Sequence, residues 1–343
     1  MNNQPSMCFG NLCDKDGKTE AKHITSLLAI EKQRRQSRNV KWTTNQLKSF
    51  GTSRVIAPDS NGEWVERTLR EDIEAGCQWE NSRRFSQTSS TPFMTSPLLE
   101  DFGYLAQGPA AVAVLDGSYV PPPGTDIHAQ KLLLELKMDP AVAAAPPMKV
   151  IFSIDQHTRG WRKAKEFTAT GPSGLTFSHF IAATYDPLLA LFDATMANVP
   201  HATGCSPLRW QSGTNVMIPK SNASLRVDKL RTILLLDPEF NQNNEPLGRS
   251  LMSQAEAFSQ TPAEQCGSRK KHRAIEAALN KVLTQDVWRQ KRQPGALCSN
   301  DAKSCYDRCV HAFAVLCMLR LGCPFGPILS MFSTFCKRCN TSL

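Results

Sequence analysis

Two short runs rich in aliphatic and β-branched residues, TNVMIPK at 214–220 and KLRTILLLD at 229–237, flank the polar stretch SNASLRVD. Two such runs joined by a short polar loop predict a β-hairpin. Pro219 stops the first strand, because its ring carries no N–H for a ladder. The segments that follow are helical in pattern, at 246–259 and 270–283. ALCSND at 296–301 is a short strand candidate, and 308–321 is apolar almost all round, which predicts a buried helix. Strand, strand, helix, helix, strand, helix argues for an α+β arrangement.

Upstream of the hairpin the pattern is mostly helical. Residues 20–35 have helical periodicity within a basic stretch, and 52–62 look like a loop, with Pro58, Asp59, Asn61 and Gly62. Residues 63–88 are expected to be helical until SQTSSTPFMTSP ends the helix. A linker-like stretch covers 117–124, and AVAAAPP at 141–147 is low in complexity. MKVIFSI at 148–154 is a strand candidate, and the turn GPSG at 171–174 leads into an apolar-rich helix over 175–196. The expected organisation is a polar, flexible segment over 1–62, a mostly helical region over 63–208, and an α+β region over 209–343. No internal repeat is visible.

A chain of 343 residues with 41% hydrophobic content can bury a core in about two domains of ordinary size. No apolar run reaches the ~18 residues of a membrane span. The start, MNNQPSMCFG, lacks the basic-then-apolar pattern of a signal peptide. An intracellular protein, cytoplasmic or nuclear, is therefore expected, with its 12 cysteines as reduced thiols. The net charge of +9 is not evenly spread. Residues 1–208 hold 21 Lys+Arg against 21 Asp+Glu, whereas 209–343 hold 19 against 10. This asymmetry suggests that the C-terminal part faces a polyanion, most often nucleic acid, or else presents solvated basic helix faces.

Asp301 ends the short strand candidate and is followed by AKSCYD. A carboxylate there is either a turn residue or an oxygen ligand of the kind Mg²⁺ takes along with waters and substrate phosphates. Asp307 directly precedes the buried helix and is expected to cap it. In chain order stand W-Q-S-G-T-N-V-M-I-P-K (210–220), K-L-R-T-I-L-L-L-D-P-E-F-N (229–241), A-E-Q-C-G-S-R-K (263–270) and A-L-C-S-N-D-A-K-S-C-Y-D-R (296–308). This series resembles the reverse transcriptases of non-LTR (LINE-type) retrotransposons. E-N-S-R-R-F (80–85), T-P (91–92) and G-P-S-G-L-T-F-S-H-F (171–180) resemble the connecting region before the polymerase. The resemblance spans about 63–343 and is strongest over 210–323.

The resemblance implies the fingers and part of the palm of a right-hand polymerase, after a mostly helical connecting region. It also implies RNA-directed DNA synthesis, by attack of a primer 3′-hydroxyl on a deoxynucleoside triphosphate with two Mg²⁺ ions. Asp301 matches the first catalytic aspartate, a metal ligand. Tyr306 matches the ring beneath the incoming sugar; its alternative is a core aromatic. Lys220 and Arg231 match the cations that clamp the triphosphate, for which an ammonium and a guanidinium suit phosphate oxygens. Their alternative is ordinary surface charge. Gln265 and Gly267 match the E-Q-x-G element near the template, or else serve as a loop and helix cap. Arg269, Lys270, Lys271 and Arg273, then Trp288, Arg289, Lys291 and Arg292, are backbone-phosphate contacts or a solvated face. The implied partners are an RNA template, a DNA primer and deoxynucleoside triphosphates.

One part of the pattern is missing. Such polymerases hold their metals with a further F/Y-x-D-D hairpin, and this chain has no Asp-Asp pair. The glycine-rich template grip and the thumb that follow it in the family are absent as well. One carboxylate does not position two metals, so the expectation is an inactive, truncated polymerase, or a non-catalytic nucleic-acid-binding remnant. Cys305 and Cys309, with Cys336 and Cys339, lack the spacing of a four-ligand zinc site, and Cys8, Cys13 and His23 are looser still. His179 and His311 are expected to be packed in apolar helices. GPSG lacks the Gly-Lys-Ser/Thr of a P-loop.

Overall fold

The computed structural model describes residues 54–219, 224–298 and 305–338, the last four without their side chains. The described residues form one compact α+β unit. It opens with a hairpin, β1 (Val55–Pro58) against β2 (Trp64–Arg67), where a loop and then a helix are expected from the sequence. Val55 and Ala57 are buried, so residues from 54 onward belong to the folded unit and not to a flexible N-terminal segment. The helix expected from residue 63 starts later, as α1 (Arg70–Phe85). Acidic Glu71 and Asp72 sit in its first turn and Arg83 and Arg84 in its last, matching the helix dipole. Gly76 lets α1 lie directly on β1, for a Cβ there would come within 2.6 Å of that of Ala57.

Short helices follow: α2 (Leu98–Phe102), α3 (Pro109–Asp116), α4 (Ile127–Leu134) and α5 (Pro140–Ala143). The strand expected at 148–154 does not form. Residues 148–153 form neither strand nor helix, and Ser153 caps α6 (Ile154–Lys163) in a capping box with Gln156. Side chains replace the missing ladder. Asn198 accepts from the Phe152 N–H at 2.8 Å and donates to its carbonyl at 2.9 Å, while His201 Nδ1 lies 2.8 Å from the Val150 carbonyl.

The single helix expected over 175–196 is two, α7 (Phe177–Ala183) and α8 (Pro187–Thr203). Asp186 restarts the chain as an N-cap, accepting from the N–H groups of Leu188 and Leu189, with Pro187 in the first helical position. His179 is exposed and not packed; its Nδ1 accepts from the Thr176 N–H at the start of α7.

The hairpin read from the sequence is present as β3 (Thr214–Pro219) and β4 (Leu230–Leu235), antiparallel, with Ile218 opposite Arg231. The next helix, α9 (Pro238–Ala257), starts eight residues before the expected 246, because Pro238 suits a first turn. α10 (Ala274–Gln290) buries none of its residues. No strand forms over 296–298, and the rest of ALCSND, Asp301 included, lies outside the described residues.

The buried helix is α11 (His311–Arg320), paired with α12 (Phe325–Arg338). Its N-cap is Val310, not Asp307, which sits in a 3-10 turn over Cys305–Arg308. His311 packs edge-on to Phe332, as expected of a packed histidine. The largest core joins Phe93, Leu98 and Phe102 to Leu247, Val315, Leu316 and Ile328. The boundary expected at 208–209 therefore has no counterpart in the packing. Among the described residues no helix is long and apolar enough to cross a membrane.

Candidate nucleotide and nucleic-acid interface

Arg231 is exposed on β4, and both of its neighbours are held from below by α1. Arg84 donates from Nη1 to Thr232 Oγ1 at 2.8 Å and from Nη2 to the Leu230 carbonyl at 3.2 Å. Thr232 in turn donates to Asn81 Oδ1 at 2.9 Å. Met217 Sδ lies 3.2 Å from the same hydroxyl, but the amide oxygen is the stronger acceptor. Glu80, 2% exposed, pairs with Arg84 at 3.0 Å and with Arg83 at 2.8 Å. The three polar positions of the 80–85 motif that face inward, Glu80, Asn81 and Arg84, therefore line the underside of β4.

The far end of β4 is held by the other upstream motif. The Gly171 N–H donates to the Leu236 carbonyl at 3.0 Å, and Ser173 Oγ donates to Asp237 Oδ1 at 2.7 Å. A Cβ on Gly171 would fall 2.8 Å from the Asp237 backbone nitrogen, so only glycine fits there. Asp237 is fully buried, and its second oxygen has no hydrogen-bond partner among the described residues.

The Cys305–Arg308 turn reaches the same neighbourhood. Asp307 Oδ2 lies 4.0 Å from Arg84 Nε, and Arg308 donates to Gln87 Oε1 at 2.8 Å. Tyr306, between two anchored residues, is 91% exposed and is not a core aromatic. Arg84 thus touches both strand neighbours of Arg231 and lies beside Asp307, in the turn that carries Tyr306. Lys220 and Asp301 lie outside the described residues.

The loop between α9 and α10 carries the other expected contacts. Arg269 faces inward: it forms a two-pronged pair with Glu256, with Nη2 to Oε2 at 2.7 Å, and donates to the Pro262 and Gln265 carbonyls at 2.7 and 3.1 Å. Its donors hold the loop together, so it is not free for a phosphate. Gln265 and Gly267 are on the exposed rim, joined by a 3.4 Å contact. Lys270, Lys271 and Arg273 are exposed and form no ion pair among the described residues. Arg289 faces Asp286 at 3.5 Å, while Lys291 and Arg292 are exposed and Trp288 packs against Gly295. No hydrogen bond or ion pair among the described residues links this loop to the Arg231 group.

Sequence reasoning missed a cleft of about 1070 Å³ between α6, α8 and α9. Its walls hold His157 beside Asp193 at 3.2 Å, an ion pair of Arg209 with Glu239, and the exposed cations Lys149 and Lys163. The Trp161 indole N–H donates to His157 Nε2 at 3.0 Å, which occupies that lone pair and leaves Asp193 a neighbour and not an acceptor from it. Burial raises the Glu239 carboxyl above its usual range; Arg209 offsets this in part and Asp193 adds to it. These residues come from four separate stretches of chain, and nothing in their local spacing marks them.

No protein-family model matches this chain, and no curated protein matches it.

Proposed function

We propose that this chain is a reverse-transcriptase-like protein that binds nucleic acid and nucleoside triphosphates through the β3–β4 hairpin. Arg231 and Lys220 would contact the triphosphate, Tyr306 the sugar, and Lys270, Lys271 and Arg273 the strand backbone. The observation that carries this reading is the convergence on β4. Two upstream motifs named by the resemblance meet the two ends of this strand, α1 at Leu230 and Thr232 and the 171–174 turn at Leu236 and Asp237 just beyond it, while the Tyr306 turn packs on α1 through Asp307 and Arg84. Segments far apart in sequence hold the strand on either side of the exposed Arg231, which fixes the backbone from which a phosphate contact would be made.

The donor set does not fit two Mg²⁺ ions. The chain contains Asp301 without an Asp-Asp pair, and the Asp307 carboxylate faces the Arg84 guanidinium at 4.0 Å. The reading favoured is binding without synthesis, and the exposed cations of the 270–273 stretch support it.

Primer extension on an RNA template and binding of an RNA–DNA hybrid test the reading together. No extension is expected, with hybrid binding that weakens steeply as salt rises. Arg231→Ala should weaken triphosphate binding about tenfold, the loss of one charged hydrogen bond. Extension that disappears in Asp301→Ala would show that the ligand set is sufficient after all. Extension equal in both proteins would remove Asp301 from the site. Binding that is absent or indifferent to salt would overturn the nucleic-acid reading.

A further inference from the structure

The sulfur of Cys266, a ring nitrogen of His272 and a carboxylate oxygen of Glu276 all lie within 4.8 Å of one another. We propose that these three side chains form a site for a zinc-class divalent cation. This inference stands apart from the polymerase reading, since it rests only on this cluster.

The donor set is the first argument. A thiolate, an imidazole and a carboxylate together suit a borderline cation such as Zn²⁺, and do not suit Mg²⁺, which takes oxygen ligands. Bond lengths of about 2.0–2.3 Å in a tetrahedral site place ligand atoms about 3.3–3.6 Å apart. His272 Nδ1 and Glu276 Oε2 are already 3.5 Å apart. The sulfur lies within 4.8 Å of both. All three residues are partly exposed, so the cation can enter and a water can take the fourth position.

The backbone is the second argument. Between Cys266 and His272 the chain takes left-handed geometry at two non-glycine residues, Ser268 (φ 61) and Lys271 (φ 69). These reversals fold the thiol back toward the ring. Left-handed geometry is costly for residues with a Cβ, and it persists where something else holds the loop. Arg269 does part of this by binding Glu256 and two loop carbonyls, so its charge is already neutralised beside the thiol.

The third argument is α10. It buries none of its residues, although helices in proteins take most of their stability from packing. Glu276 lies in its first turn and His272 just before it. A metal bound by these two and Cys266 would fix that first turn, the step that is costly in helix formation. On binding, the thiol and any imidazolium lose their protons to solvent, so binding strengthens as pH rises. Lys270, Lys271 and Arg273 oppose the incoming cation from the exposed side, and salt screens that repulsion.

The test is titration of the metal-free, reduced full chain with Co²⁺, followed by the thiolate-to-cobalt charge-transfer band, then Zn²⁺ displacement. Expected are a band displaced by Zn²⁺ and retained by a Cys305→Ser/Cys309→Ser control. Far-UV circular dichroism should show a gain in helix on Zn²⁺ addition. Cys266→Ser should abolish this band. His272→Ala and Glu276→Gln should each weaken binding by more than about 100-fold, beyond the loss of an outer partner. His272→Cys supplies a different ligand at the same place and should keep binding, which separates a lost ligand from a lost fold. A band unchanged in Cys266→Ser places the metal elsewhere and overturns the proposal. So does the absence of saturable binding, which leaves His272 and Glu276 as a helix ion pair only.

Discussion

Arg84 is 8% exposed, and its guanidinium serves Glu80, Thr232 and the Leu230 carbonyl at once. The planar fork of an arginine can reach three acceptors that a lysine ammonium on a flexible stem would meet one at a time. Removing it leaves the buried Glu80 carboxylate with Arg83 alone, and leaves the Leu230 carbonyl without this donor. Arg84→Ala should therefore destabilise the fold by about 3–5 kcal/mol, the usual cost of breaking a buried pair. Urea unfolding checks this; a loss under about 1 kcal/mol would mean the pair behaves like a surface one. In the sequence, Arg83 and Arg84 are indistinguishable neighbours on a charged helix. Only the direction of each side chain in the fold makes one a surface charge and the other a strut.

At the scale of elements, β4 is held at both ends by pieces of chain that precede it by some sixty to one hundred and fifty residues. Ser173→Ala removes the only hydrogen bond to Asp237 Oδ1 shown among the described residues, beneath the start of α9. It should lower stability by about 1–3 kcal/mol, the cost of an unsatisfied buried acceptor. Asp237→Asn in that background should recover part of the loss, because a neutral amide is cheaper to bury than a carboxylate. Equal stability of Ser173→Ala and the parent protein, measured by urea midpoints, would count against this lock. The β3–β4 hairpin is legible because two aliphatic and β-branched runs, Pro219 and a polar loop act locally. The strand expected at 148–154 does not form, for an equally physical reason. Its residues have β character, but Asn198 and His201 supply the hydrogen bonds that a partner strand would have supplied.

For the molecule as a whole, two imidazoles link protonation to folding. Burial lowers the His201 pKa from 6.5, with an opposing contribution from the Val150 carbonyl, and burial also lowers that of His311. Above the unfolded value of 6.5 neither state carries the proton, and stability is full. As pH falls through it, the unfolded chain takes up protons that the folded chain refuses, so stability declines. The slope approaches about 1.4 kcal/mol per pH unit for each such group. The urea midpoint should therefore drop between about pH 7 and pH 5.5, and His201→Asn, which keeps a donor for Val150, should flatten the drop. An identical pH dependence in that variant would remove His201 from the account. His201 also touches Asn243 on α9 at 3.2 Å, so this histidine joins α8, the 148–153 stretch and α9.

What this sequence determined alone is local: the hairpin, the apolar helix of 311–320, the concentration of positive charge after residue 208, and the absence of an Asp-Asp pair. Each follows from residues near one another in the chain, through residue type, periodicity or count. What only the tertiary structure decided is which polar side chains meet. The fold turned Arg84 and Arg269 inward, left Tyr306 in solvent, closed the cleft around His157 and Glu239, and brought Cys266 back to His272 and Glu276. Those partners are set by the packing of distant segments, and the same residue type is charge on a surface or a strut in a core depending on which neighbour arrives.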